Sequence, residues 1–325
     1  MAKVVALPIK REMSMNVAAV IGVGNVGRSW AVVFARAGLR VQLWDNDPAA
    51  IDRALPAIAA ALEAMRTAGR LDDPSTAMAR IQRYDTLKEA VSGVDWVQES
   101  VVEQLAIKRE LFSQLDSIAP KDAILASSTS AIPGSQFMAG LAGSYRCLVV
   151  HPVNPPHLIP LVELCGTLET APATVAAAEG FMTEVGQSPV QLAREIEGFL
   201  LNRLQWALMG EALHLVGEGL CRPEDIDRVM TDGLARRWSF IGPFMVAHLN
   251  ASQGVRGYFA GLAEAIGRVQ ASLRTDYPPH AELVYTLAAA MEAKVPVASI
   301  AEHQSQRDTR LLSGISVDRR RSGTP

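Results

Sequence analysis

A histidine and a glutamate twelve positions apart are the residues whose types and spacing could move a proton in this chain. A short apolar run, Leu148 to Val150, has the length and β-branched content of a buried strand and delivers His151 to its end. Pro152, Pro155, Pro156 and Pro160 then forbid regular structure. A second apolar run, Leu161 to Leu164, carries Glu163, a carboxylate that is costly to bury without a partner. His151 is the obvious partner. An imidazole held by a carboxylate makes a general base that works near neutral pH, because the carboxylate fixes the tautomer and stabilises the imidazolium. The competing reading is a capped loop histidine beside a proline turn.

A second constellation could hold phosphates. Val17 to Ile21 reads as a strand that runs into Gly22-Val23-Gly24-Asn25-Val26-Gly27, followed by a helical pattern through Ala37 and a stop at Gly38. Gly22 permits a tight turn, Gly24 lets the backbone approach a pyrophosphate, and Gly27 lets helix and strand pack closely. The helix N-terminus supplies unpaired N–H groups to the phosphates. A second strand, Arg40 to Trp44, ends in Asp45, where a carboxylate would accept from an adenosine ribose and repel a 2′-phosphate. This favours NAD over NADP. Alone, Asp45 could equally be a turn residue before Pro48.

Other residues gain meaning only from the elements around them. Glu99 and Glu103 could line a solvated face, or one could reach a nicotinamide ribose from a strand end. Ser127-Ser128-Thr129-Ser130 has the look of a hydroxyl turn, yet it follows a strand, and strand carboxyl ends line the crevice of an open parallel sheet. Ser130 could therefore face the same cleft as His151. Asn202 sits in a helical pattern and could donate to a substrate oxygen. Arg236 and Arg237, in an apolar loop from Gly233 to Pro243, could bind a carboxylate through two parallel hydrogen bonds. Glu211 and His214 form half of a di-iron motif with no second copy, so no metal is implied.

The elements needed to position these groups follow from the pattern. The expected fold is α/β, a Rossmann-type doubly wound sheet followed by an all-α C-terminal domain. Residues 1–15 are expected as an N-terminal extension, 16–194 as the NAD-binding domain, 195–318 as a helical substrate and dimerisation domain, and 319–325 as a disordered tail. Pro56 inside the alanine-rich stretch 49–68 predicts a kink or restart, and residues 70–83 read as a charged connection. A length of 325 residues fits two domains, and a net charge of −3 gives no reason to expect nucleic acid. Cys147, Cys165 and Cys221 lack metal spacing and point to reduced thiols in a cytoplasm. The apolar run from Val17 to Val23 is too short for a membrane span.

Taken together, HPVNPPHLIPLVEL, SSTSAI, GFLLNRLQ and RWSFIGP resemble the short-chain L-3-hydroxyacyl-CoA dehydrogenase superfamily, and within it the branch of lambda-crystallin and L-gulonate 3-dehydrogenase. The resemblance runs from about Val17 to at least Asn250. It implies His151 as base, Glu163 as its orienting partner, and Ser130 and Asn202 around the substrate oxygen. It implies nucleotide contacts at Asn25, Val26, Asp45, Glu103 and Lys108, with NAD as cofactor. It also implies a homodimer joined through the helical domains. Acyl-CoA members usually carry proline and methionine before their Gly-Pro-Phe, and asparagine where this chain has Ser128. Here Arg237-Trp238-Ser239-Phe240-Ile241 precedes Gly242-Pro243, so a small free 3-hydroxy acid such as L-gulonate is expected, its carboxylate on Arg237. L-carnitine, a 3-hydroxyacyl-CoA, and a crystallin-like structural or NAD-sensing role are the alternatives.

Overall fold

The computed structural model describes residues 15–314. All but the last residue of the expected extension, and the whole of the expected tail, lie outside them. Two compact units emerge: residues up to Leu200 together with Asp308–Ser313, and Leu201–Arg307.

The first unit is built on a sheet. Its elements run β1 (Val17–Ile21), α1 (Asn25–Ala37), β2 (Arg40–Trp44), α2 (Pro48–Thr67), α3 (Pro74–Met78), β3 (Ile81–Arg83), α4 (Leu87–Ala90), β4 (Trp96–Glu99), α5 (Leu105–Ile118), β5 (Ile124–Ser127), α6 (Ser135–Met138), β6 (Cys147–Pro152), β7 (Leu161–Gly166), α7 (Pro172–Glu184) and β8 (Ser188–Gln191). The strand order is β3-β2-β1-β4-β5-β6-β7-β8. Every neighbouring pair is parallel except β6 with β7.

The order reverses between β2-β1 and β4, which opens a crevice at the carboxyl ends of β1 and β4. Helices cover both faces, so the central strands are apolar on both sides. Ala18, Val20, Leu148 and Val150 join one core with Trp30, Phe34 and Phe181; Ala19, Ile21, Val97 and Val149 join the other with Phe112 and Phe137. On the first face Trp30 stacks on Phe34 and Phe34 on Phe181, and Phe181 tilts against Trp96, at centroid separations of 4.7–5.8 Å.

Of the kink or restart expected at Pro56, the restart is not found: Pro48 to Thr67 form one helix. Pro56 falls on its exposed face, where water can satisfy the carbonyl of Asp52 that the missing N–H would have bonded. Within 70–83, the connection contains α3, capped by the Asp73 carboxylate at the N–H groups of Ser75 and Thr76, and the edge strand β3.

The second unit is helical: α8 (Leu201–Gly217), α9 (Pro223–Arg228), α10 (Ala235–Trp238), α11 (Pro243–Leu249), α12 (Gly254–Ser272), α13 (Ala281–Glu292) and most of α14 (Ile300–Gly314). The expected loop from Gly233 is instead helical: a π-helical turn over Val229–Leu234 passes directly into α10, and only Ser239–Gly242 lie outside helix. Leu213, Val216 and Leu283 form its small buried cluster.

Candidate active site

The crevice begins where β1 ends. Gly22 adopts φ +88°, and its N–H donates to the Trp44 carbonyl. A Cβ there would lie 2.8 Å from the Ser100 carbonyl group, so the turn and β4 meet too closely for a side chain. At Gly27 a Cβ would sit 1.8 Å from the Gly22 carbonyl oxygen. Gly24 opens onto empty space. It is also the N-cap of α1, with no side chain bonded to the first turn, so that turn's N–H groups are left for an anion. Asn25 is exposed beside it, and Val26 packs half-buried against the core.

Asp45 closes the loop. Its Oδ2 accepts from Val23 N at 2.8 Å and its Oδ1 from Asp47 N at 3.0 Å, which ties the glycine turn to the end of β2. A cavity of about 810 Å³, lined by Gly22, Gly24, Asn25, Asp45, Ser100 and apolar residues such as Ala54 and Ile107, runs along these edges. Its size and mixed lining suit a dinucleotide, and the glycine clearances fit a pyrophosphate on the helix N-terminus.

Glu103 and Lys108 lie on the next segment. Lys108 is only 1% exposed; its Nζ donates to Glu99 Oε1 at 2.9 Å and Oε2 at 3.0 Å, and stands 3.3 Å from Glu103 Oε2. It therefore sits beneath the crevice surface, with its ammonium committed to two carboxylates. Glu103 Oε1 accepts from Thr129 Oγ1 and from the N–H groups of Ser130 and Ala131. Burial pushes the Glu103 carboxyl up, but the Thr129 hydroxyl, Lys108 and those N–H groups outweigh it and hold the group below the ordinary glutamate range. The glutamate thus fixes the hydroxyl turn that presents Ser130. Ser127, buried on the same segment, donates to Glu99. Neither of these anchoring roles was marked by the sequence beyond the run of four hydroxyls.

His151 and Glu163 stand directly opposite one another in the antiparallel pair β6-β7, on one face of the sheet. His151 Nδ1 lies 2.8 Å from Glu163 Oε2, and the two residues are 5% and 2% exposed. A carboxylate only accepts, so Nδ1 is the donor, and in the neutral imidazole that tautomer leaves the lone pair on Nε2. Glu163 Oε1 accepts from Leu200 N at 2.8 Å. The preceding residue, Phe199, takes φ +50° and packs its buried ring 5.4 Å from the imidazole. The helix that follows starts at Leu201, so Glu163 takes the Leu200 N–H just ahead of it. The turn after β5 that carries Ser130 and the end of β6 that carries His151 belong to adjacent parallel strands.

Asn202 lies in the first turn of α8 and Arg237 in α10, both in the second unit. Among the described residues no group of three histidine, cysteine, aspartate or glutamate side chains could hold a metal ion.

Residues 17–196 match the family described as 3-hydroxyacyl-CoA dehydrogenase, NAD binding domain, and residues 198–278 match its C-terminal domain. The lambda-crystallin homolog of Bos taurus is 48% identical over 254 residues, covering 77% of this chain and 79% of its own. The L-carnitine dehydrogenase of Nocardiopsis dassonvillei is 35% identical over 306 residues, covering 92% and 91%. Among solved structures, an NAD+-dependent 5-formyl-3-hydroxy-2-methylpyridine 4-carboxylic acid 5-dehydrogenase aligns with TM-score 0.79 at 29% identity, covering 92% of this chain and 96% of that one. The (S)-3-hydroxybutyryl-CoA dehydrogenase of Ralstonia eutropha aligns with TM-score 0.66 at 28% identity, covering 85% and 95%.

Proposed function

The chain belongs to the 3-hydroxyacyl-CoA dehydrogenase family and is an NAD-dependent oxidoreductase acting on CH–OH groups; from that premise we propose that it oxidises the 3-hydroxyl of a small free L-3-hydroxy acid, of the L-gulonate kind, to the 3-oxo acid. The observation that carries this reading is the buried His151–Glu163 pair at the carboxyl end of β6, whose Nδ1 contact with the carboxylate leaves Nε2 as the ring nitrogen available to a substrate. Nε2 accepts the hydroxyl proton as the alcohol becomes a carbonyl, and Glu163 stabilises the imidazolium so formed. NAD, when bound, supplies the hydride acceptor. Gly22, Gly24, Asn25 and Gly27 hold its phosphates and Asp45 its adenosine ribose. Glu103 orients the turn of Ser130, and Lys108 acts through Glu103. Ser130 and Asn202 hold the substrate oxygen, and Arg237 binds the carboxylate, roles assigned to them from their motifs.

Likeness to lambda-crystallin homologs supports a free acid, as does the segment Arg237-Trp238-Ser239-Phe240-Ile241 where acyl-CoA members carry proline and methionine before Gly-Pro-Phe. L-carnitine is a second reading, favoured because the carnitine dehydrogenase match spans 92% of the chain where the lambda-crystallin match spans 77%. A trimethylammonium group calls for aromatic faces, and Trp238 is the nearest candidate to Arg237 in the chain. We further propose a homodimer working in a reducing cytoplasm, which the three free thiols suit.

The test is NAD reduction with L-gulonate, L-3-hydroxybutyrate, L-carnitine and L-3-hydroxybutyryl-CoA. Turnover of a free acid should fall by about 10²–10⁴ in His151→Ala, and KM for it should rise in Arg237→Ala. Preference for the CoA ester would remove the role given to Arg237. A carnitine KM that alone rises in Trp238→Ala would favour the second reading.

A further inference from the structure

A chain of side-chain hydrogen bonds outside the roles assigned above has its direction fixed at every step by chemistry. Trp96 Nε1 lies 3.0 Å from Gln98 Oε1. An indole can only donate, so the Gln98 amide must turn its oxygen toward Trp96 and its Nε2 away. That Nε2 donates to Ser128 Oγ at 2.8 Å. Trp30 Nε1, again a donor only, reaches the same oxygen at 3.1 Å. Ser128 Oγ thus accepts twice, and both its lone pairs are used. Its own hydrogen is left for Ser100 Oγ, 2.9 Å away. Ser100 Oγ accepts it, and its hydrogen must point onward.

Everything behind this relay is rigid. Trp30, Trp96 and Gln98 are fully buried, and the two indoles belong to the aromatic cluster under the sheet. Ser100 and Ser128 are half-buried, and Ser100 lines the 810 Å³ crevice beside Gly22 and Gly24. Its backbone lies against Gly22, and its N–H donates to the Ile21 carbonyl at 2.7 Å. Strand β4, which it follows, flanks β1 on the side opposite to β2 and Asp45. In a doubly wound sheet the two mononucleotide halves of a dinucleotide lie on either side of that switch point.

We propose that Ser100 is a further cofactor-binding residue, donating its hydroxyl hydrogen to an oxygen in the nicotinamide mononucleotide half of NAD, and that Ser128 and Gln98 are positioning residues that aim this donor. The inference rests on NAD occupying the crevice. A hydroxyl in a crevice usually chooses among several acceptors and pays rotational entropy when it settles; this one is a donor in one direction before the ligand arrives. Its orientation comes from two indole N–H groups that cannot reverse.

Calorimetric titration of NAD and of AMP into the full chain tests this. Ser100→Ala should weaken NAD about 5- to 10-fold, the range of one neutral hydrogen bond, and leave AMP within about twofold. Ser100→Thr, which keeps the hydroxyl, should restore NAD affinity to within about threefold of the unsubstituted chain. Ser128→Ala should also weaken NAD, and Ser100→Ala/Ser128→Ala should bind no more weakly than Ser100→Ala alone, because Ser128 acts through Ser100. Should Ser128→Ala fail to fold, having orphaned two buried donors, the Ser100 variants against NAD and AMP decide by themselves. Equal loss of NAD and AMP, or NAD affinity indifferent to Ser100→Ala, overturns the inference. No NAD binding by the unsubstituted chain would instead overturn the cofactor reading on which it stands.

Discussion

Glu163 accepts from His151 Nδ1–H on one oxygen and from Leu200 N–H on the other. An amide offers one acceptor and one donor end, so Glu163→Gln cannot satisfy both. With its oxygen on Leu200, its NH₂ meets Nδ1 and forces the proton onto Nε2, the atom that must accept. Steady-state kinetics should show kcat down by about 10² or more, with NAD affinity by calorimetry little changed. His157 offers a pH prediction. Burial, then the positive charge of Arg36, bring its pKa down to about 4, and its Nδ1 is buried with no hydrogen-bond partner among the described residues. Its folded pKa lies below the unfolded value of 6.5, so the unfolded chain binds the proton first as pH falls. This contribution to stability is complete above that value and is lost progressively down to about 4, amounting to as much as about 3 kcal/mol. Urea midpoints measured across this window should fall less steeply in His157→Leu than in the unsubstituted chain.

At the scale of elements, the glycine turn makes the sharpest demand. Gly27→Ala would put a methyl group 1.8 Å from the Gly22 carbonyl oxygen, so β1 and α1 would have to separate. Loss of NAD binding and a lowered melting temperature are the expected readings, whereas Gly24→Ala, with room for its methyl, should weaken NAD without touching the melt. The strands that position the site were legible because they are buried on both faces and read as apolar runs, from Val17–Ile21 to Leu161–Gly166. His151 opposite Glu163 followed from two such runs meeting around a proline turn. Edge strand β3 was missed because three half-exposed or exposed residues, Ile81-Gln82-Arg83, carry no periodic signal, and their pairing with β2 is a tertiary fact. Lys108 shows the same limit. Its position in an amphipathic helix is readable, but its burial against Glu99 depends on β4 ending beneath it. The polar relay through Gln98 and Ser128 was likewise invisible, since its members come from α1, β4 and the β5 turn.

At the scale of the molecule, the second unit is poorly provided with an interior of its own. None of the residues in α12, which spans Gly254–Ser272, is buried, nor is any in α9 or α10. Leu204, Trp206, Phe240, Phe244, Leu249 and Tyr285 stand 60–79% exposed. Exposed apolar side chains of this number are what the proposed homodimer would cover, with a second copy of the chain as the occupant. Sedimentation equilibrium should return about twice the 34.9 kDa chain mass. Charged replacements at Phe240 and Phe244 should shift it toward the monomer. A monomer at all concentrations would remove the dimer from the proposal.

The antiparallel pairing of β6 with β7 bears on how such a protein can change over time. The alignment of His151 with Glu163 is written into a backbone ladder, from Leu148 opposite Gly166 to Pro152 opposite Val162. Deleting one residue inside β7 would turn the carboxylate to the other face of the sheet, a change no side-chain replacement could repair. The loops and helices outside the ladder are under no such arithmetic. A lineage can therefore trade one alcohol for another by editing those segments, while the proton-handling pair is inherited as a register.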